Sequence, residues 1–188
     1  TKVFSSYKSL NGEYLMNANA GSYKATYSAS TENPGQFWLD AASGIDWADA
    51  PVKALDESAA PVYRWFPDAS LNTCYNAVDR HVENGHGDQT AIIYDSTMTG
   101  TKNTYTYSEL LERVAAFAGA LRDQGVGKGD RVLIYLPMVP HAIISMLACA
   151  RLGAVHSVVF GGFAANELAV RIDDATPKVV VTASGGFE

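Results

Sequence analysis

Two glycine pairs, each behind an apolar run, are the residues of this chain best suited to hold a ligand. Phe160-Gly161-Gly162-Phe163 follows the run Val155 to Phe160 and precedes a helical segment. Lacking a Cβ, glycine lets a ligand's phosphate or backbone approach closely, and the unpaired amides of a following helix favour an anion. A plainer reading is glycine used only because a strand-to-helix turn needs a positive φ, and on the residues alone that reading is narrowly favoured. Ser184-Gly185-Gly186-Phe187-Glu188 is a second glycine turn behind a strand-like run, expected on the same edge of the sheet. Two such loops facing one crevice are the arrangement that binds ligands in open α/β sheets.

Other chemistry-bearing residues read more plainly. Ser184 lacks the G-x-S-x-G elbow of a nucleophilic serine. Gly125-Val126-Gly127-Lys128-Gly129 imitates a dinucleotide loop, but it closes a helix and leads into a strand, the reverse of that fingerprint's context. It reads as a helix cap and a tight turn. No G-x-x-x-x-G-K-[ST] phosphate loop occurs. His81 and His86 are spaced off a common helical face, which disfavours a metal pair. His156 opens a strand and reads as a hydrogen-bonded core residue. Asp79-Arg80-His81 and Arg171 with Asp173-Asp174 read as solvated or capping charges. No residue is assigned a catalytic or metal-binding role.

The elements that must position these turns are clearest from Asp130 to Phe163. A β-branched run (Val132, Leu133, Ile134) closes at Pro137, an almost wholly apolar helical segment follows Pro140, and a second run ends on Gly161-Gly162. Continuous apolar strands joined through a buried helix predict a parallel sheet covered on both faces. Upstream, Asn72 caps an expected helix holding Tyr75, Ala77, Val78 and Val82, which ends at Asn84-Gly85. Strands are expected at 90–94 and 104–106. Thr106 with Glu109 forms a capping box for a helix with Leu110, Val114, Phe117, Ala118 and Leu121 on one face, stopped by Gly125. A helix near 166–174 and a strand at 178–182 complete the alternation. The predicted fold class is α/β, a doubly wound, largely parallel sheet with right-handed crossovers.

Three regions separate on composition. Residues 1–30, rich in Ser, Asn, Ala and Tyr, read as a flexible or processed extension. Residues 31–71 hold Trp38, Trp47 and Trp65 beside Phe37, Tyr63 and Phe66, with Asn33-Pro34 opening a short helix. They read as an aromatic strap laid on another domain, against the alternative of a small cluster of their own. Residues 72–188 read as the start of the α/β domain. Its last loop has no strand behind it, so the sheet looks unfinished and the chain is expected to be a fragment.

The net charge of −6, from 14 basic and 20 acidic side chains, argues against a general nucleic-acid binder, since no basic stripe exists to displace counterions. The longest apolar run is closed by Arg151 and Gly153 well short of a membrane span. Cys74 and Cys149 make no disulfide framework and fit a reducing compartment.

Four segments carry a family resemblance: Asn76-Ala77-Val78-Asp79-Arg80-His81, the run Asp88 to Asp95, Lys128-Gly129-Asp130-Arg131-Val132, and Met146 through Phe163. Together they resemble the N-terminal part of short-chain acyl-CoA synthetases, the AMP-forming acetyl- and propionyl-CoA synthetases of the adenylate-forming superfamily, over about residues 23–188. The run from Asp79 to Asp88 and the Ile-Ile-Tyr-Asp-Ser after it are more similar to the propionyl branch. The resemblance implies an incomplete N-terminal part of an adenylate-forming enzyme whose parent is an acid-thiol ligase. That parent joins a small carboxylic acid to CoA through an acyl-adenylate, using ATP, CoA and Mg2+. It further implies that the loop binding the CoA nucleotide begins at Glu188, with Gly161, Gly162 and Phe163 near it. The family's phosphate loop, acyl pocket and late catalytic lysine are missing here, so the piece itself is expected to be inactive. Ala164 stands where many relatives carry a helix-capping serine. The implied compartment is the cytoplasm, with the mitochondrial matrix as alternative. Rival readings are a stand-alone CoA- or nucleotide-binding module and a dinucleotide oxidoreductase, the latter lacking its fingerprint in the right place.

Overall fold

Asn33 accepts a hydrogen bond from the Gln36 amide through its side-chain oxygen (3.2 Å), and Pro34 occupies the first helical position. That pairing of cap and proline starts the helix expected after Glu32. The computed structural model describes residues 23–162 and 164–185. They divide between Leu71 and Asn72 into two units, each described by itself below.

In the first unit, α1 (Tyr23–Glu32) precedes α2 (Pro34–Ala42). No periodicity announces this first helix, because α1 has no apolar stripe and buries none of its residues. The Ser30 and Thr31 hydroxyls donate back to the Tyr27 carbonyl at 2.8 and 3.1 Å, and the rings of Tyr23 and Tyr27 stack one turn apart. Residues 1–22 of the expected extension lie outside the described residues. Two short strands, β1 (Leu55–Asp56) and β2 (Arg64–Trp65), pair antiparallel. Around them the aromatics form a ladder: Phe37 on Trp38 at 5.1 Å, Trp38 on Trp65 at 5.7 Å and Trp47 on Phe66 at 5.4 Å.

In the second unit, Asn72 caps as expected, its Oδ1 accepting from the Tyr75 amide at 3.0 Å. The chain after it is helical through 73–86, as expected, but widens into π-type turns over Tyr75–Asp79 and Val82–His86. Here Asn side chains compete for the backbone ladder: the Asn76 amide nitrogen donates to the Asn72 carbonyl at 3.2 Å. A hairpin follows, β3 (Thr90–Ser96) against β4 (Thr101–Thr106), both longer than expected and joined in a sheet of their own. The capping box of Thr106 and Glu109 is present, and α3 (Tyr107–Asp123) buries Leu110, Val114, Ala118 and Leu121. Gly125 stops it with φ 82°, a conformation that strains any residue with a Cβ.

The rest alternates as the periodicity requires: β5 (Arg131–Leu136), α4 (Pro140–Leu152), β6 (Val155–Phe160), α5 (Ala165–Ala175) and β7 (Val179–Thr182). These three strands form a parallel sheet in the order β6-β5-β7. The central strand is sealed on both faces, with Val132 and Ile134 joining the α3–α4 core and Leu133 fully buried on the opposite pleat. The edges are not sealed. Val155 and Val158 are each 54% exposed, and His156, expected in the core, is exposed as well. Alternation of strand and helix foretells a parallel sheet but not which strand becomes its edge.

Candidate functional site

The three parallel strands end together, and their outgoing loops form one rim. Pro137-Met138-Val139 leaves β5, Gly161-Gly162 leaves β6, and Ala183 to Gly185 leaves β7. Because β5 lies between the others, its loop separates the two glycine turns. Gly161 and Gly162 open onto a cavity of about 1080 Å³, whereas Gly185 opens onto another of about 740 Å³. Tyr94, Leu136, Pro137, Met138 and Val139 line both and form the wall between them. The turns share a rim, and the cavities beside them adjoin along those five residues. Of the expected ligand contacts, Gly161 and Gly162 stand at the larger cavity, while Phe163 and Glu188 lie outside the described residues.

Gly161 is a glycine for a reason neither sequence reading supplied. A Cβ there would come within 2.9 Å of the Leu136 carbonyl oxygen and 3.2 Å of its carbon, both backbone atoms that cannot swing aside. Its φ is not in the left-handed region. Close passage of the β6–α5 turn over the end of β5 excludes every other residue. At Gly162 a Cβ would meet only the Phe160 ring, at 2.7 Å from its Cε1, and that ring is 64% exposed.

The electrostatics of the rim are sparse. No Lys or Arg lines either cavity among the described residues. Asp95 at the hairpin end is neutralised by Lys102 Nζ at 2.7 Å. The buried Ser145 hydroxyl donates to the His141 carbonyl at 2.7 Å, tying down the first turn of α4. The shifted groups sit elsewhere. The Lys178 ammonium at 2.9 Å, aided by the Gly127 N–H, holds the Asp130 carboxyl below its ordinary range, at the amino end of the strands. Burial pushes the Cys149 thiol up to about 11 and raises Cys74, so neither is a ready nucleophile. The His81 ring lies 4.8 Å from that of Tyr107, and His86 Nδ1 pairs with Gln89 at 2.8 Å. Among the described residues no three His, Cys, Asp or Glu side chains come together as a metal site would require.

One pair escaped sequence reasoning. Asp79, expected to be a solvated charge, accepts from the Arg151 guanidinium at 2.6 and 2.7 Å, with both side chains largely buried. Asn72 Nδ2 reaches the Arg151 carbonyl at 3.1 Å, so the segment after Leu71 is fastened twice to the end of α4. Seventy-two residues separate the ionic partners, and no local spacing announces such a contact.

Comparison with known proteins accords with this architecture. Residues 78–187 match the family model for "AMP-binding enzyme", and residues 23–77 match "Acetyl-coenzyme A synthetase N-terminus". The mouse (Mus musculus) mitochondrial "Acyl-CoA synthetase short-chain family member 3" is 55% identical over 93% of this chain and 26% of its own length. The human protein of that name is 53% identical, also over 93% of the chain and 25% of its own length. The "Acetyl-coenzyme A synthetase" of Streptomyces avermitilis is 49% identical over 90% of the chain and 26% of its own length. The chain thus spans about a quarter of the curated relatives it matches.

Proposed function

We propose, because this chain belongs to the AMP-binding enzyme family, that it is the N-terminal portion of an AMP-forming short-chain acyl-CoA ligase. The reaction of that ligase is propionate or acetate with ATP and CoA to acyl-CoA, AMP and pyrophosphate. The observation carrying the reading is the pair of adjoining family matches, which together cover 23–187, joined to relatives named as acyl-CoA and acetyl-CoA synthetases. The run from Asp79 to Asp88 and the Ile-Ile-Tyr-Asp-Ser after it place the resemblance nearer the propionyl branch, with the acid itself left as propionate or acetate. Within the ligase, 31–71 acts as a strap and 72–188 begins the nucleotide-binding domain, ahead of which 1–30 is an extension. Support for the strap is that Trp38 and Trp65 remain 41% and 52% exposed in a unit whose buried residues, among those described, are two alanines. The order β6-β5-β7, reversing direction at β5, supports a doubly wound sheet, since right-handed crossovers to either side of one strand put their helices on opposite faces.

Gly161, Gly162, Phe163 and Glu188 remain the proposed neighbours of the CoA nucleotide. The described rim does not by itself fit a polyphosphate, because no Lys or Arg lines its cavities. Nor do the described residues bring together a Mg2+ site. The charges on ATP and CoA must be met by other residues, and this portion contributes shape around the strand ends. The chain alone is proposed to be inactive because the phosphate loop and late catalytic lysine that the resemblance implies for the ligase are not in it, and a stand-alone CoA-binding module is the alternative. The compartment we propose is the cytoplasm or the mitochondrial matrix, where Cys74 and Cys149 stay reduced. No helix among the described residues is long and apolar enough to cross a membrane.

A chimera tests the reading. The matched quarter of the Streptomyces avermitilis acetyl-coenzyme A synthetase is replaced by this chain and assayed for pyrophosphate and thioester. The expected result is acid-dependent turnover by the chimera and none by residues 1–188 alone. A folded chimera without turnover sinks the ligase reading, and pyrophosphate release by 1–188 sinks the inactivity.

A further inference from the structure

We infer that the outer edge of β6 is a docking edge for one more β-strand, supplied by polypeptide of the parent ligase that this chain does not span. The inference rests on the reading of the chain as part of a longer ligase. Strand amides point alternately to either side. The Val155 amide donates to the Asp130 carbonyl at 2.8 Å, on the β5 side, so those of His156 and Val158 point away from β5. Among the described residues no strand lies on that side.

The edge also lacks the devices by which sheet margins discourage pairing. Val155 to Phe160 contains no lysine, proline or acidic residue, and its valines at 155 and 158 are each 54% exposed. The opposite margin, β7, is shorter and more covered, with Val180 39% exposed. Beside β6 runs the larger cavity, which Ile93, Ile143, Met146, Val158 and Phe160 line with apolar surface. Ile134 pairs with Val158 in register, so Val158 lies on the pleat facing α4. A strand laid along β6 places alternate side chains on that pleat, where an apolar residue at every second position fills the cavity. The apolar lining beside Val158 and Met146 suits a valine- or isoleucine-rich strand. Relatives matched over only about a quarter of their length possess the polypeptide to supply it.

The test is split complementation. Purified 1–188 is mixed with the remaining three quarters of the Streptomyces avermitilis synthetase, expressed separately, and followed by hydrogen exchange and by capture. The His156 and Val158 amides are expected to exchange at least about tenfold more slowly in the mixture. Val158→Lys is expected to weaken capture about tenfold, with circular dichroism confirming its fold. His156→Pro is the second variant: its outward amide makes no bond to β5, so proline blocks the edge and spares the sheet. Capture without protection of these amides, no capture, equal capture by both variants, or a β6-mediated dimer of 1–188 that the remainder cannot displace overturns the docking edge. Pyrophosphate release by the mixture reads the ligase separately: protection without turnover counts against the ligase alone, and turnover without protection against the edge alone.

Discussion

Residues 31–71 hold all three tryptophans of the chain yet bury only Ala42 and Ala54, whereas 72–185 hold none and seal a core from Cys74 to Val159. The contrast separates aromatic content from core formation. In the second unit, helices α3 and α4 cover a strand whose Val132, Leu133 and Ile134 are wholly withdrawn from water. Layering of that kind removes whole faces from solvent. In the first unit Trp38 and Trp65 meet edge to face, and Trp65 is buried by half at most. Ring-on-ring contact stabilises modestly, by about 0.5–1.5 kcal/mol a pair beyond the area buried. Stability should therefore reside in 72–185.

The largest effect expected from this contrast is that of Ile134→Ala, which deletes a fully buried side chain from the α3–α4 core. A loss of about 3 kcal/mol should appear in urea unfolding followed by far-ultraviolet circular dichroism. A loss below about 1 kcal/mol would mean the core is not where the strength lies. Next is a pH effect. Burial raises the Cys149 thiol from its ordinary 9.0 to about 11, so the folded state keeps a proton that the unfolded chain gives up first. That contribution is complete below pH 9 and is lost as pH rises toward 11, on the order of 2 kcal/mol. The stability profile of Cys149→Ala should lack that decline, and parallel profiles for the two proteins would remove the burial argument.

A smaller loss, about 1–2 kcal/mol, is expected for Asp79→Ala, which leaves the Arg151 guanidinium without its carboxylate in a largely buried place. Thermal unfolding of the single variants and of the Asp79→Ala, Arg151→Met pair measures it, and the double variant should recover part of the loss. The smallest effect is that of Trp65→Ala on the second unit, under about 0.5 kcal/mol by circular dichroism. Tryptophan emission reports only the first unit, because Trp38, Trp47 and Trp65 all lie there. It should change at lower urea than the circular dichroism does. Coincident transitions would erase the distinction between the units.

Several elements were legible before any coordinates. The Thr106–Glu109 box, the Asn33-Pro34 helix start, the Gly125 stop and the alternation from β5 to β7 are short-range events. Each is settled by residues within a turn or two, where capping chemistry and side-chain period act directly. Helix α1 was missed because it has no apolar stripe to betray it, and the π-type turns after Asn72 because side-chain bonds to the backbone leave no periodic trace. Recognition of the family rested on the segments between Asn76 and Phe163, and the matches over 23–77 and 78–187 agree with it.

The candidate site divides along the same line. Local chemistry in the chain determined that glycine turns follow β6 and β7, and that helices or strands flank them. Only the tertiary structure decided that β5 stands between those turns, that Gly161 is held to glycine by the Leu136 carbonyl, and that Asp79 finds Arg151. Strand order and long-range pairing depend on which surfaces meet after the chain has collapsed. That choice is made by the packing of whole layers, for which no spacing between neighbouring residues is a proxy.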